Sequence, residues 1–208
     1  VRCCTQNGVR GGSATVHFPI WHQEIEDILV LKNNKGTEDN RVRKLDYSIQ
    51  ISKLFYERFI KNADITLFSP NHVPGLYEAF GMPEFDELYL KYEKDKSVPR
   101  QTIGAQELFQ ALLKERAETG RIYIMNLDHC NSHSSFKDKI YMSNLCQEIT
   151  LPTTPIQHID DKEGEIALCI LSAINLGLLT DMNELEELCD LSVRALDEII
   201  DYQEYPVE

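Results

Sequence analysis

The chain has 208 residues, a formal net charge of −13, 42% hydrophobic and 26% charged residues, which is the composition of an ordinary globular protein. The acidic balance argues against a DNA-binding surface, which is usually basic. No run of about 18 apolar residues occurs, so no membrane span is predicted. Six cysteines without a CxxC pair indicate reduced thiols in a cytoplasmic protein.

Strands and helices alternate in the first part of the chain. In order, the pattern predicts a strand over 14–18, a helix from Pro19 to about Leu31, a polar loop over 32–44, a strand over 46–52, a helix over 53–63 and a strand over 65–69. Pro19 is placed in the first turn of its helix, where proline is common. The apolar stripe of that helix would be Trp21, Ile25, Ile28 and Leu29.

The second part of the chain continues the alternation. It predicts helices near 74–80, 84–95 and 104–119, a strand over 121–127, a polar loop over 128–139, strands over 147–151 and 165–172, and a final helix from an Asn183 N-cap to about Tyr202. The third of these helices would bury Leu108, Leu112 and Leu113 and end at Gly120. The final helix has an apolar stripe of Leu185, Leu188, Cys189, Val193, Leu196, Ile199 and Ile200. Strands that alternate with helices indicate an α/β fold with parallel pairing.

The most informative short stretch is SNLCQE, over 143–148. If this stretch is extended, Asn144, Cys146 and Glu148 point to one face, and the residues between them point to the other. A carboxylate beside a thiol disfavours the thiolate, so the pattern fits a neutral thiol that becomes a thiyl radical. The residues alone leave two alternatives, a half-buried strand cysteine and a cysteine hydrolase that uses His129 or His133.

Three further stretches have weaker signals. The glycines of CCTQNGVRGGSAT permit close approach of the backbone to a ligand, but the stretch matches neither a Walker motif nor G-x-G-x-x-G, so a plain flexible loop is the alternative. Cys169 falls in an apolar strand, where an inert buried thiol is the simplest interpretation. His129, Cys130 and His133 have metal-ligand spacing only in a helix. Because they lie in a predicted loop, no metal site is expected.

Taken together, six stretches resemble one family. They are CTQNGVRGGSAT, WHQEIEDILVLKNNKGTEDNRVRKLDY, LFSPNHVPGLYEAFG, ERAETGRIYIMNLDHCNSH, SNLCQEITLPT and GEIALCILSAINLG. Their order and content resemble the large, catalytic (α) subunit of class I ribonucleotide reductases over nearly the whole chain. The resemblance implies that residues 1–208 are a single partial domain, a central portion of a ten-stranded α/β barrel. The N-terminal activity domain and the C-terminal part of the barrel would be absent.

The resemblance also implies a role for each candidate side chain. Cys146 would carry the thiyl radical that abstracts the 3′ hydrogen of a ribonucleoside diphosphate. Glu148 would take the proton of the 3′ hydroxyl, and Asn144 would hydrogen-bond the sugar hydroxyls. Cys169 would be one of two cysteines that reduce the substrate and become a disulfide, with its partner upstream of Val1.

The first stretch resembles the family's specificity loop, which couples an effector site to the substrate site. The residues assigned to it are Cys4, Gln6, Arg10, Gly11 and Gly12. The effectors would be deoxynucleoside triphosphates or ATP. No cofactor would bind this chain directly, since a metal-containing small (β) subunit supplies the radical. The other implied partners are thioredoxin or glutaredoxin, the remaining segments of the large subunit, and a second copy of the parent. The alternative is a non-catalytic fragment that binds a companion chain or a nucleotide.

Overall fold

The computed structural model describes residues 5–6 and 8–205, without the side chains of Gln6 and Glu38. The chain divides into two compact units, Val1–Pro152 and Thr153–Glu208. The first unit contains seven strands within its described residues: β1 Thr5–Gln6, β2 Arg10–Gly11, β3 Thr15–Pro19, β4 Asp46–Ile51, β5 Asp64–Leu67, β6 Gln101–Gly104 and β7 Ile122–Asn126. Its helices are α1 Ile25–Leu29, α2 Lys53–Ile60, α3 Leu76–Ala79, α4 Phe85–Lys94, α5 Ala105–Thr119 and α6 Leu127–Ser132. The second unit contains α7 Glu184–Tyr202.

The central feature is a parallel sheet with the strand order β3-β4-β7. Helices lie between its strands in the sequence, which confirms the α/β fold with parallel pairing that the alternation predicts. Two smaller antiparallel pairs, β1-β2 and β5-β6, accompany the sheet. Within the described residues, no helix is long and apolar enough to span a membrane.

The two faces of the parallel sheet differ in chemistry because the strands alternate polar and apolar residues in register. One face is mainly apolar; Asn126 lies at its end, and its apolar residues are Val16, Phe18, Tyr47, Ile49, Ile51, Ile122 and Ile124. These apolar residues belong to, or pack against, one hydrophobic core that includes Phe55 of α2 and Leu108 and Leu112 of α5. The opposite face carries Thr15, His17, Asp46, Ser48, Gln50, Tyr123 and Met125. We refer to this second set as the polar face.

In the first unit, the apolar residues that helical periodicity assigns to the core are buried, with one exception. Trp21, Ile25 and Leu108 are fully enclosed, and α5 ends at Gly120, which has a left-handed φ of 64°. The exception is Leu113, which is 43% exposed. It lies one residue beyond the buried Leu112 and therefore about 100° around the helix.

Four predicted elements are wrong in whole or in part. Pro19 ends β3 and starts no helix, because the N–H of Ile20 donates to the carbonyl of Gln50 at 2.9 Å and continues the pairing of the two strands. The predicted loop over 128–139 begins inside α6. The predicted strands over 147–151 and 165–172 are not formed, and within the described residues the one pairing that involves either stretch is an isolated bridge between Thr154 and Glu165.

The final helix is present in the second unit, and Asn183 occupies its N-cap position as predicted. The side chain of Asn183 makes no capping hydrogen bond. No described residue of α7 is fully buried, and Val193 is 65% exposed. The apolar stripe of α7 is therefore largely open to solvent.

Candidate active site

Residues 141–149, which we call the crossing segment, lie over the polar face of the sheet. At its start, the Nε2 of Gln50 donates to the carbonyl of Tyr141 at 2.5 Å. Further along, the hydroxyl of Thr15 donates to the carbonyl of Leu145 at 2.6 Å. Because these contacts involve two neighbouring strands, the sheet itself sets the path of the crossing segment.

The candidate residues Asn144, Cys146 and Glu148 lie in a tight turn. The N–H of Asn144 donates to the carbonyl of Ile149 at 3.1 Å, and the N–H of Gln147 donates to the carbonyl of Asn144 at 3.2 Å. Gln147 has a φ of 63°, a conformation incompatible with an extended strand. The prediction of an extended stretch with alternating faces is therefore wrong.

The side chain of Asn144 braces this turn. Its Oδ1 accepts the N–H of Ile149 at 3.1 Å, and the hydroxyl of Ser143 donates to the carbonyl of Ile149 at 2.6 Å. The backbone N–H can only donate, so the amide oxygen must be the atom that faces it. Among the described residues, the Nδ2 of Asn144 has no hydrogen-bond partner. This donor is thus free for a ligand hydroxyl.

Gln147 ties the turn to the sheet, which sequence reasoning missed. Its Oε1 accepts a hydrogen bond from the hydroxyl of Ser48 on β4, and its Nε2 donates to the carbonyl of Ile124 on β7 at 2.6 Å. The sequence contains one signal for this contact. Strand alternation places the polar Gln147 on the same side as the apolar Leu145 and Ile149, opposite the thiol.

Cys146 and Glu148, which flank Gln147, are both exposed. Slight burial, followed by the charges of Cys146, Asp46 and Glu148, raises the pKa of Tyr123. The thiol and the carboxylate of the SNLCQE stretch are therefore both exposed on a turn that contacts the sheet, and strand alternation is not what places them.

A half-buried histidine lies beneath the crossing segment. Burial lowers the pKa of His17, and the nearby backbone of Ser143 acts in the opposite direction. The imidazole is thus favoured in its neutral form next to the turn. Cys146 makes no hydrogen bond with a histidine in the described part of the chain, so the geometry lacks the thiol–imidazole pair of a cysteine hydrolase.

The predicted specificity loop forms a short hairpin. β1 pairs with β2 so that Gln6 lies opposite Arg10 and Thr5 lies opposite Gly11. Gly8 lies at the tip with a φ of 71°, as its predicted role in backbone freedom requires. Arg10 and Gly11 are exposed and Gly12 is half-buried. Cys4 and the side chain of Gln6 lie outside the described residues.

Cys169 belongs to the second unit, Thr153–Glu208. Its predicted setting, a buried apolar strand, is wrong, since residues 166–174 form no regular element and the thiol is exposed. An exposed thiol is compatible with a redox role, whereas an inert core cysteine would be buried.

The DHCNSH stretch is helical, contrary to the predicted loop. The rings of His129 and His133 lie 5.8 Å apart between centroids, and the Nδ1 of His133 lies 3.0 Å from the carbonyl oxygen of His129. Burial, reinforced by the charge of Asp128, raises the pKa of the Cys130 thiol. Across residues 5–6 and 8–205, no three histidine, cysteine or carboxylate side chains are arranged to hold a metal ion.

Comparison with known proteins identifies the setting of this turn. The family model for the "Ribonucleotide reductase, barrel domain" matches residues 1–208. The ribonucleoside-diphosphate reductase α subunits of Buchnera aphidicola (from Schizaphis graminum) and of Haemophilus influenzae are 60% and 59% identical to the whole chain, and that of phage T4 is 46% identical. The chain spans 28% of the length of each of these relatives.

The three-stranded parallel sheet with helices on its apolar face is consistent with an open portion of an α/β barrel. The polar face, which the crossing segment covers, would then be the interior of that barrel. The chain belongs to the ribonucleotide reductase barrel-domain family.

Proposed function

We propose that this chain supplies the hydrogen-abstracting turn of a ribonucleoside-diphosphate reductase large subunit, as the central part of its catalytic barrel. The observation that carries the proposal is the braced turn over the polar face, in which Cys146 and Glu148 are both exposed next to Asn144. The parent reaction replaces the 2′ hydroxyl of a ribonucleoside diphosphate with hydrogen.

The proposed steps assign one function to each side chain. A thiyl radical at Cys146 takes the 3′ hydrogen of the ribose, while Glu148 accepts the proton of the 3′ hydroxyl. The 2′ hydroxyl then takes a proton from one of two reducing thiols, Cys169 and a partner, and leaves as water. The two thiols supply two electrons and become a disulfide; their second proton is added with one electron at C2′, and Glu148 returns its proton to the 3′ oxygen with the other. Cys146 finally returns its hydrogen atom to C3′, which regenerates the radical.

The geometry supports these roles through preorganisation. Reacting groups gain most when they are held in place before the substrate binds. The turn is closed by the Ser143 and Asn144 contacts with Ile149, and the free Nδ2 of Asn144 is a donor of the kind that a sugar hydroxyl accepts. The exposed thiol and carboxylate remain accessible to a ribose above the polar face.

The partners follow from the same proposal. A metal-containing small (β) subunit supplies the radical, and thioredoxin or glutaredoxin reduces the disulfide. We assign the β1–β2 hairpin, with Gln6, Arg10, Gly11 and Gly12, to the reading of the substrate base under the control of a bound deoxynucleoside triphosphate or ATP. Cys4 is assigned to the same loop. The parent subunit is proposed to act as a homodimer.

The test is Cys146→Ser in a full-length large subunit that contains this segment, assayed with its small subunit. Turnover should disappear while the affinity for the ribonucleoside diphosphate stays within about twofold, because a hydroxyl does not replace a thiol as a hydrogen-atom carrier. Cys189→Ser, at an exposed position of α7, is the matched control and should retain turnover. Substantial turnover in Cys146→Ser would refute the proposal.

The alternative is a fragment that binds a companion chain or a nucleotide without catalysis, and the 28% coverage of the relatives favours it for the isolated chain. We expect the 208-residue chain to show no turnover alone. Addition of the remaining large-subunit segments and the small subunit should restore nucleotide reduction. Reduction by the isolated chain would exclude this alternative.

A further inference from the structure

We propose that Gln147 is a positioning residue that fixes the radical cysteine through two hydrogen bonds to neighbouring strands. This inference rests on the proposed role of Cys146. Gln147 itself touches no reacting atom. Its side chain lies on the sheet side of the turn, whereas Cys146 and Glu148 are exposed on either side of it in the sequence.

These two hydrogen bonds, which we call the tether, each require a particular atom of the Gln147 amide. The amide oxygen of Gln147 faces the hydroxyl of Ser48, whose side chain is fully buried, and the amide nitrogen faces the carbonyl of Ile124. A hydroxyl that donates and a carbonyl that can only accept fix the orientation of the amide uniquely. Because Ser48 belongs to β4 and Ile124 to β7, the side chain of Gln147 fixes the position of the turn relative to two strands.

The backbone shows why such a tether is needed. Gln147 has a φ of 63°, a left-handed conformation that residues other than glycine rarely adopt. Such a conformation persists only where surrounding contacts hold it. The two side-chain hydrogen bonds are made by the same residue that carries this backbone conformation. The side chain thus stabilises the backbone conformation of the turn that carries Cys146 and Glu148.

Loss of the tether should move the thiol with respect to the substrate. A displacement of about 1 Å at a reacting group can lower a rate by roughly 100-fold. Leucine has nearly the volume of glutamine but makes neither hydrogen bond, so Gln147→Leu removes the tether with little change in packing. Gln110→Leu makes the same substitution at an exposed position of α5 and is the matched control.

The experiment measures kcat/KM and the isotope effect of a 3′-deuterated ribonucleoside diphosphate, in the full-length large subunit with its small subunit. In Gln147→Leu, kcat/KM should fall by about 10- to 100-fold, and the isotope effect should rise because hydrogen abstraction becomes the slow step. Gln110→Leu should change neither value. A partly misfolded enzyme would lose rate in proportion to its inactive fraction but would keep the wild-type isotope effect. A lower rate with an unchanged isotope effect would therefore overturn the proposal.

Two more variants distinguish the effect of the Gln147 side chain from the effect of its backbone conformation, and they also control for a folding defect. Ser48→Ala removes only the hydroxyl end of the tether and should raise the isotope effect to a smaller extent. Gln147→Gly accepts the positive φ without cost but has no tether, so it should also raise the isotope effect. A wild-type isotope effect in Gln147→Gly would show that the backbone alone places the thiol and would refute the role of the side chain. If instead Cys146→Ser remains active, the proposed function fails independently of these results.

Discussion

Asn144 allows the bracing of the turn to be separated from contact with a substrate, because only one of its two amide atoms takes part in the bracing. The Oδ1 accepts the half-buried N–H of Ile149 at 3.1 Å, and the Nδ2 has no partner among the described residues. Asn144→Ala removes both atoms. Asn144→Asp keeps an oxygen towards Ile149 and replaces the donor with an acceptor.

The expected effect on stability follows from the lost acceptor. A hydrogen bond of this kind contributes about 1 kcal/mol, and a partner left unpaired raises the loss to about 1–3 kcal/mol. Urea unfolding should therefore show Asn144→Ala about 1–2 kcal/mol less stable than the wild type, with Asn144→Asp within about 0.5 kcal/mol of it. Equal stability of Asn144→Ala and the wild type would refute the bracing role.

The expected effect on activity follows from the lost donor. A neutral hydrogen bond of about 1 kcal/mol corresponds to about a fivefold change in kcat/KM. Both variants should lose this factor in the full-length enzyme, since neither has an amide donor. A larger loss in Asn144→Asp would measure repulsion by its added charge. Full activity of Asn144→Asp would show that the substrate does not use the Nδ2 and would refute that part of the proposal.

Three further predictions concern the support of the sheet. Leu108→Ala should destabilise the chain by about 2–5 kcal/mol in urea unfolding, because Leu108 is fully buried beneath the apolar face; a loss below about 1 kcal/mol would contradict its core position. Burial acts to raise the pKa of Glu93, but the hydrogen bonds with Arg58 outweigh burial and hold the pKa below its usual value. The stability advantage of wild type over Glu93→Gln should therefore be complete above about pH 4.3 and should shrink as the pH falls. A pH-independent difference would contradict this prediction. Burial lowers the pKa of Lys139 from 10.5 to about 8. Between about pH 8 and pH 10.5 the Lys139 amine is therefore protonated more fully in the unfolded chain than in the folded one. Urea unfolding should show wild type gaining stability relative to Lys139→Met as the pH rises through that range.

The fold was predictable where the sequence periodicity agrees with the final contacts. Residues 46–51 alternate polar and apolar side chains, and β4 places these two sets on opposite faces of the sheet. The helix predicted from Pro19 failed for a tertiary reason. The N–H of Phe68 donates to the carbonyl of Trp21 at 2.8 Å, and this pairing holds residues 20–22 in a non-helical path. The apolar stripe of the predicted helix is buried all the same. The predicted helical path and the observed path can both direct these side chains into the core.

Long-range contacts also explain the missed α6 helix. Its polar sequence lacks an apolar stripe, so periodicity predicts a loop. In the structure, the Oδ2 of Asp128 accepts the first N–H of α2, from Lys53, at 2.7 Å. The amide of Asn131 bonds to both the N–H and the carbonyl of Ile140. These polar side chains bind backbone groups that are distant in the sequence, and no local pattern reports such partners.

The turn around Cys146 replaces the extended conformation that the sequence predicts. An extended chain would place Cys146 and Glu148 on one face and Gln147 on the other. In the turn, the side chain of Gln147 bonds to the sheet, and Cys146 and Glu148 are exposed. The difference lies in what holds the group together. A strand would hold it through continuous backbone pairing, whereas here a single residue, Gln147, carries both the unusual φ and the bonds to the sheet. The placement of the thiol therefore depends on the middle residue of the motif, the one position that alternation assigns away from the chemistry.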